Sequence, residues 1–77
     1  MMGVEVLALE ALEALGGAAL EEDVVDAVCA RVRIPREDIP AAVAEIRMAL
    51  AELEQQGKVR GKGTAAGRLW LSPWQSP

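Results

Sequence analysis

The stretch Ala49-Leu50-Ala51-Glu52-Leu53-Glu54-Gln55-Gln56-Gly57-Lys58-Val59-Arg60, followed by Gly67-Arg68-Leu69-Trp70-Leu71, decides the fold. On its N-terminal side Ile39, Val43, Ile46, Leu50 and Leu53 recur at the spacing of one helical face, with Ala42 and Ala49 on the flank. Asp38 or Ile39 caps this helix, Pro40 is tolerated in its first turn, and the pattern carries it to about Gln56. Gly57 then stops it, because glycine takes the left-handed conformation that closes helices at little cost. Beyond the stop, Lys58-Val59-Arg60 reads as a short strand, residues 61–67 as a flexible Gly-rich turn, and Arg68-Leu69-Trp70-Leu71 as a return strand. Two strands joined in this way predict a β-hairpin. Leu69 and Leu71 are expected to face the core, which turns Trp70 outward.

Two further helices lie upstream. Val4, Leu7, Ala8, Ala11, Leu12 and Leu15 form one apolar stripe, and Gly16-Gly17 ends it. Val6 and Leu9 fall beside the glutamates of this helix, so its apolar surface is wider than one core contact requires. After the connector Ala18-Ala19-Leu20, readable as a minimal strand, a second helix spans Glu21 to about Val32 with Val24, Val25, Val28, Cys29 and Val32 inward. Glu21, Glu22 and Asp23 suit the positive end of its dipole, and Arg31 and Arg33 suit the other end. Pro35 separates this helix from the third.

Composition sets the limits. The chain has 77 residues with 12 acidic and 8 basic side chains, a formal charge of −4. That length allows one small domain, which buries only about 60% of its unfolded surface. The charge is unevenly placed: residues 1–30 carry −7, residues 31–57 carry −1, and residues 58–77 carry +4. Fields act over about a 10 Å screening length, so this asymmetry matters more than the total. There is no His and a single Cys, so neither a zinc site nor a disulfide framework can be assembled. Cys29, on the valine stripe with no cationic neighbour, reads as a buried structural thiol. No nucleophile–base pair or metal set is legible, so neither catalysis nor a cofactor is expected. No stretch approaches the roughly 18 apolar residues of a membrane span, and no signal peptide is legible, so a cytoplasmic protein is expected. The Ala-, Leu-, Val-, Glu- and Arg-rich composition without Asn is the kind found in thermophiles.

The order helix, connector, helix, proline turn, long helix, glycine, basic hairpin resembles the winged helix-turn-helix family. The quoted stretch carries the resemblance, matching the habit of ending the third helix in AL..LE..G.V.R and returning through an apolar strand. The resemblance implies an α+β, mostly α fold: three helices with a C-terminal β-hairpin wing, residues 1–71 forming one domain and 72–77 a tail. It also implies a recognition helix over 38–56 and a wing over 61–67.

Winged helices bind DNA, RNA or proteins, so each implied site is weighed on its residues. Projected at 100° per residue, the third helix turns Ala41, Ala44, Glu45, Met48, Ala51, Glu52 and Gln55 outward, with Arg47 on the flank. Base reading uses Arg, Lys, Asn or Gln, and this face offers only Gln55, near its far end, beside small side chains and two carboxylates, so it departs from the DNA-reading pattern. The wing offers Lys58, Arg60, Lys62 and Arg68 for phosphates, and Arg31, Arg33 and Arg36 add charge around the turn before the third helix. The expected function is therefore duplex DNA binding through backbone contacts, with low sequence specificity, in a transcription- or chromosome-associated role. Arg31, Arg33, Arg36, Arg47, Lys58, Arg60, Lys62 and Arg68 are the candidate contacts. The competing expectation is a protein-interaction or homodimerisation module built on Val6, Leu9, Ala44, Met48, Trp70 and Trp74. For Trp70, packing by the chain's own tail competes with anchoring a partner.

Overall fold

The computed structural model describes residues 3–73. Helix α1 spans Val4–Ala14, strand β1 Ala18–Leu20, helix α2 Glu21–Val32, helix α3 Ile39–Gln55, strand β2 Arg60–Thr64 and strand β3 Gly67–Leu71. A single 3-10 turn over Arg36–Asp38 leads into α3. The strands form one antiparallel sheet in the order β1-β3-β2. This is an α+β, mostly helical fold consistent with a winged helix, in which the hairpin takes the place of the wing.

The helix ends follow local chemistry. After α1, the Gly16 N–H donates to the Glu13 carbonyl (3.0 Å) and the Gly17 N–H to the Leu12 carbonyl (2.9 Å). After α3, Gly57 and Lys58 do the same to Glu54 (3.0 Å) and Leu53 (2.9 Å). Both pairs are the crossed bonds of a Schellman motif, which needs a left-handed residue; Gly16 (φ 95°) and Gly57 (φ 76°) supply it. The Ser72 N–H then donates to the Gly17 carbonyl (2.7 Å), tying the end of β3 to the start of β1.

Ala8, Ala11 and Leu12 from α1, Val24, Val25 and Val28 from α2, and Ile46, Leu50 and Leu53 from α3 fill the core, with Val59 and Trp70 closing it from the wing. Three positions assigned to the buried stripes sit outside it: Leu15, Val32 and Ile39 are 42%, 43% and 36% exposed. Each lies at a helix end, where the stripe runs past the edge of the neighbouring element. Cys29 is only partly buried, packed against the core from its rim.

The hairpin differs from its sequence reading in two respects. Residues 61–64 are not a loop but the body of β2, paired Gly61 to Trp70, Lys62 to Leu69, Gly63 to Arg68 and Thr64 to Gly67. The connection shrinks to Ala65-Ala66, and the Thr64 hydroxyl donates to the Gly67 carbonyl across it. Ladder hydrogen bonds come from the backbone, so a glycine-rich segment can still pair once its partner strand is in place, despite its low strand propensity. The second difference is the face of Trp70, which points into the core and is 2% exposed. Its cross-strand neighbours are Ala19 and Gly61, the two small residues that leave room for an indole. Burying one Trp removes more apolar surface from water than burying a Leu.

Candidate functional site

Of the eight candidate cations, three are held by carboxylates. Arg31 Nη1 donates to Glu10 Oε1 at 3.1 Å, joining α2 to α1. Arg47 Nε donates to Glu21 Oε2 at 2.9 Å, while the other oxygen of the same carboxylate accepts from Trp70 Nε1 at 3.3 Å. Arg68 Nη2 lies 3.6 Å from Glu54 Oε1, and its guanidinium stands 5.2 Å from the centre of the Trp70 ring. Glu54 Oε2 accepts from the Gly61 N–H at 3.1 Å.

Glu21 and Glu54 thus clamp the indole and the wing onto α2 and α3, a role that sequence reading did not assign to either. Glu21 reads in the sequence as part of the acidic first turn of α2, and Glu54 only as part of the stretch that ends α3. Only the i,i+7 separation of Glu54 from Gly61 hints at contact, and many such separations carry none.

The other five cations have no carboxylate or hydrogen-bond partner among the described residues. Lys58, Arg60 and Lys62 are exposed, and they alternate with Val59, which is buried, and Gly61 and Gly63. β2 is an edge strand, so the pleat sets Arg60 and Lys62 on one side of the sheet, about 7 Å apart. Their neighbours on the other side have no side chain to crowd them. Arg33 and Arg36 are exposed at the turn between α2 and α3, Arg33 in the left-handed conformation (φ 51°) that ends α2.

The outer face of α3 is as projected: Ala41, Ala44, Glu45, Met48, Ala51, Glu52 and Gln55 are all exposed, Met48 at 69%. No cation stands among them. The proposed partner surface is only partly assembled. Val6 is exposed and shares a shallow depression with Met48, lined also by Gly3, Val4, Glu5, Ala49 and Glu52. Ala44 lies one turn from Met48 on the same stripe. Leu9, by contrast, is partly buried against the core, and Trp70 is buried and offers no surface to a partner. Trp74, and with it the packing of the tail on Trp70, lies outside the described residues.

Among the described residues no group of three or more Cys, Asp or Glu side chains is arranged to hold a metal ion, and no helix is long and apolar enough to cross a membrane. No protein-family model, curated protein or solved structure matches the chain.

Proposed function

We propose that this protein binds nucleic acid, duplex DNA in the first instance, through backbone contacts from the edge of its wing and with little sequence preference. The observation that carries this reading is the row Lys58, Arg60 and Lys62: exposed, without a carboxylate partner among the described residues, and alternating with the buried Val59 and with Gly61 and Gly63. Lys58 in the turn before β2 and Arg60 and Lys62 on it give cations spaced to suit a row of phosphates on one nucleic acid chain. Arg33 and Arg36 extend the positive surface at the start of α3. The low specificity follows from α3, whose outward side chains include a single base-reading type, Gln55 in the last turn, while Glu45 and Glu52 oppose phosphate. Arg31, Arg47 and Arg68 drop out of the contact set because Glu10, Glu21 and Glu54 neutralise them locally.

Titration of a labelled duplex across salt concentrations tests this. Three wing contacts give a log–log slope of about −2.7, and all five free cations about −4.5. Replacing Lys58, Arg60 and Lys62 together with Gln should remove most of that slope. Absence of binding at low salt, or an unchanged slope in the variant, ends the reading.

A second reading is favoured by one observation. Val6 and Met48 form an exposed apolar spot edged by Glu5 and Glu52, on a helix face suited to another protein rather than to DNA. Sedimentation at several concentrations tests its homodimer form, and a strictly monomeric chain counts against it.

A further inference from the structure

One cleft among the described residues lies away from both surfaces. It is a cleft of about 400 Å³ between α2, the first half of α3 and the tip of the wing. Its floor is apolar, made by Leu20, Val25, Cys29, Ile39 and Val43. This explains why Ile39 and Cys29 are not fully covered although both belong to core stripes.

The walls differ in charge state. Arg47 and Arg68 stand on the α3 and wing sides, and both are already engaged by carboxylates. Glu22 and Asp26 stand on the α2 side, exposed and with no ion pair or hydrogen bond among the described residues. They are four residues apart on one helix face, where two like charges disfavour each other by a few tenths of a kcal/mol. A cation placed against them relieves that repulsion while the apolar floor takes up whatever the cation carries. The volume falls in the range of small-ligand sites, about 300–1,000 Å³.

We propose that this cleft binds small organic cations with an apolar body, the ammonium group lying against Glu22 and Asp26 and the body on Val25, Ile39 and Val43. Because Gly67 and Arg68 form part of the wall, an occupant touches the wing as well as the helices. The site is independent of nucleic acid binding by Lys58, Arg60 and Lys62, none of which lines it.

Three probes of one shape separate charge from apolar contact: naphthylmethylammonium, naphthylmethanol and naphthylacetate. Each is titrated into the whole chain while backbone amide NMR signals are followed, with the rate of Cys29 alkylation as a second readout. The expected result is movement of the Val25, Cys29, Ile39 and Val43 signals and slower alkylation. The ammonium probe should bind at least about fivefold more tightly than the alcohol, the ratio a partly screened ion pair supports, and the acetate most weakly. In the Glu22→Gln, Asp26→Asn variant, whose changes are on the surface, the preference for the cation should vanish while the alcohol binds as before. Equal binding of all three probes, signal changes elsewhere, or no binding at millimolar concentration overturns the proposal. So does a basic amphipathic peptide that moves these signals when the ammonium probe does not.

Discussion

Gly61 shows how one missing side chain holds several interactions together. A Cβ built there would stand 3.0 Å from Trp70 Cζ3, from Arg68 Nε and from Glu54 Oε2. Its own N–H meanwhile binds the Glu54 carboxylate. Gly61→Ala would have to displace the indole, which cannot yield because Ala19 and the core lie behind it, or break the glutamate clamp. A loss of about 1–3 kcal/mol is expected, the usual cost of overpacking a filled site. Chemical denaturation of the variant checks it; Gly63→Ala, where nothing lies within 4 Å of the added carbon, is the control and should change stability far less. Glu21 makes the complementary point. One carboxylate satisfies the indole N–H and a guanidinium together, so a residue that looks like solvated charge in the chain is part of the reason Trp70 can be buried.

At the level of elements, the helices were readable because their signals are local. The period of apolar residues, the acidic first turn of α2 and the glycines after α1 and α3 are all spaced within one or two turns, and α2 came out at Glu21–Val32 as expected. The wing was harder. Its strands were expected to be short with a seven-residue loop between 60 and 68, whereas β2 runs to Thr64 and only Ala65-Ala66 turn the chain. Glycines lower strand propensity, so a Gly-rich segment reads as loop until its partner is known. The junction between α3 and the wing supplies a sharper test. Gly57 has open space around it, so the cost of Gly57→Ala is conformational alone, about 1 kcal/mol for forcing φ 76° on an L-residue. Thermal unfolding should show a fall of about 4–8 °C, the shift that 1 kcal/mol gives in a domain of this size. Gly57→Asn, which tolerates this region better, should recover part of it.

For the whole molecule, charge is sorted rather than merely summed. Ion pairs link α1 to α2, α2 to α3 and α3 to the wing, and in each the cation is one that composition alone counted toward a phosphate site. The pairs are at least partly exposed, so each is worth at most about 1 kcal/mol, yet they cancel the local field. Neutralising Arg47 and Arg68 together with Gln should therefore lower stability modestly and leave the salt dependence of nucleic acid binding nearly unchanged. Neutralising Lys58, Arg60 and Lys62 should do the reverse. Denaturation and duplex titration on the two variants separate the roles, and a steep loss of binding from the Arg47 and Arg68 changes would show that these paired guanidiniums, on α3 and β3, contact the nucleic acid after all.

The chain by itself determined three helices, their stops, the presence of a hairpin and the positive charge of the C-terminal segment, because each depends on residues close together along the backbone. The outward face of α3, with its alanines, Met48 and two glutamates, was legible for the same reason. Which side of the hairpin faces the core was not. Alternation separates Trp70 from Leu69 and Leu71 and predicts that only one set is inside, whereas Trp70 and Leu71 are both buried; the small partners Ala19 and Gly61 and the acceptor on Glu21 make room for the indole, and Glu21 lies 49 residues from Trp70. The division of the eight cations, among the described residues, into three with carboxylate partners and five without is likewise a property of the tertiary structure. It rests in part on contacts 21 and 26 residues apart, distances over which spacing along a chain carries no information until the core has brought the helices together.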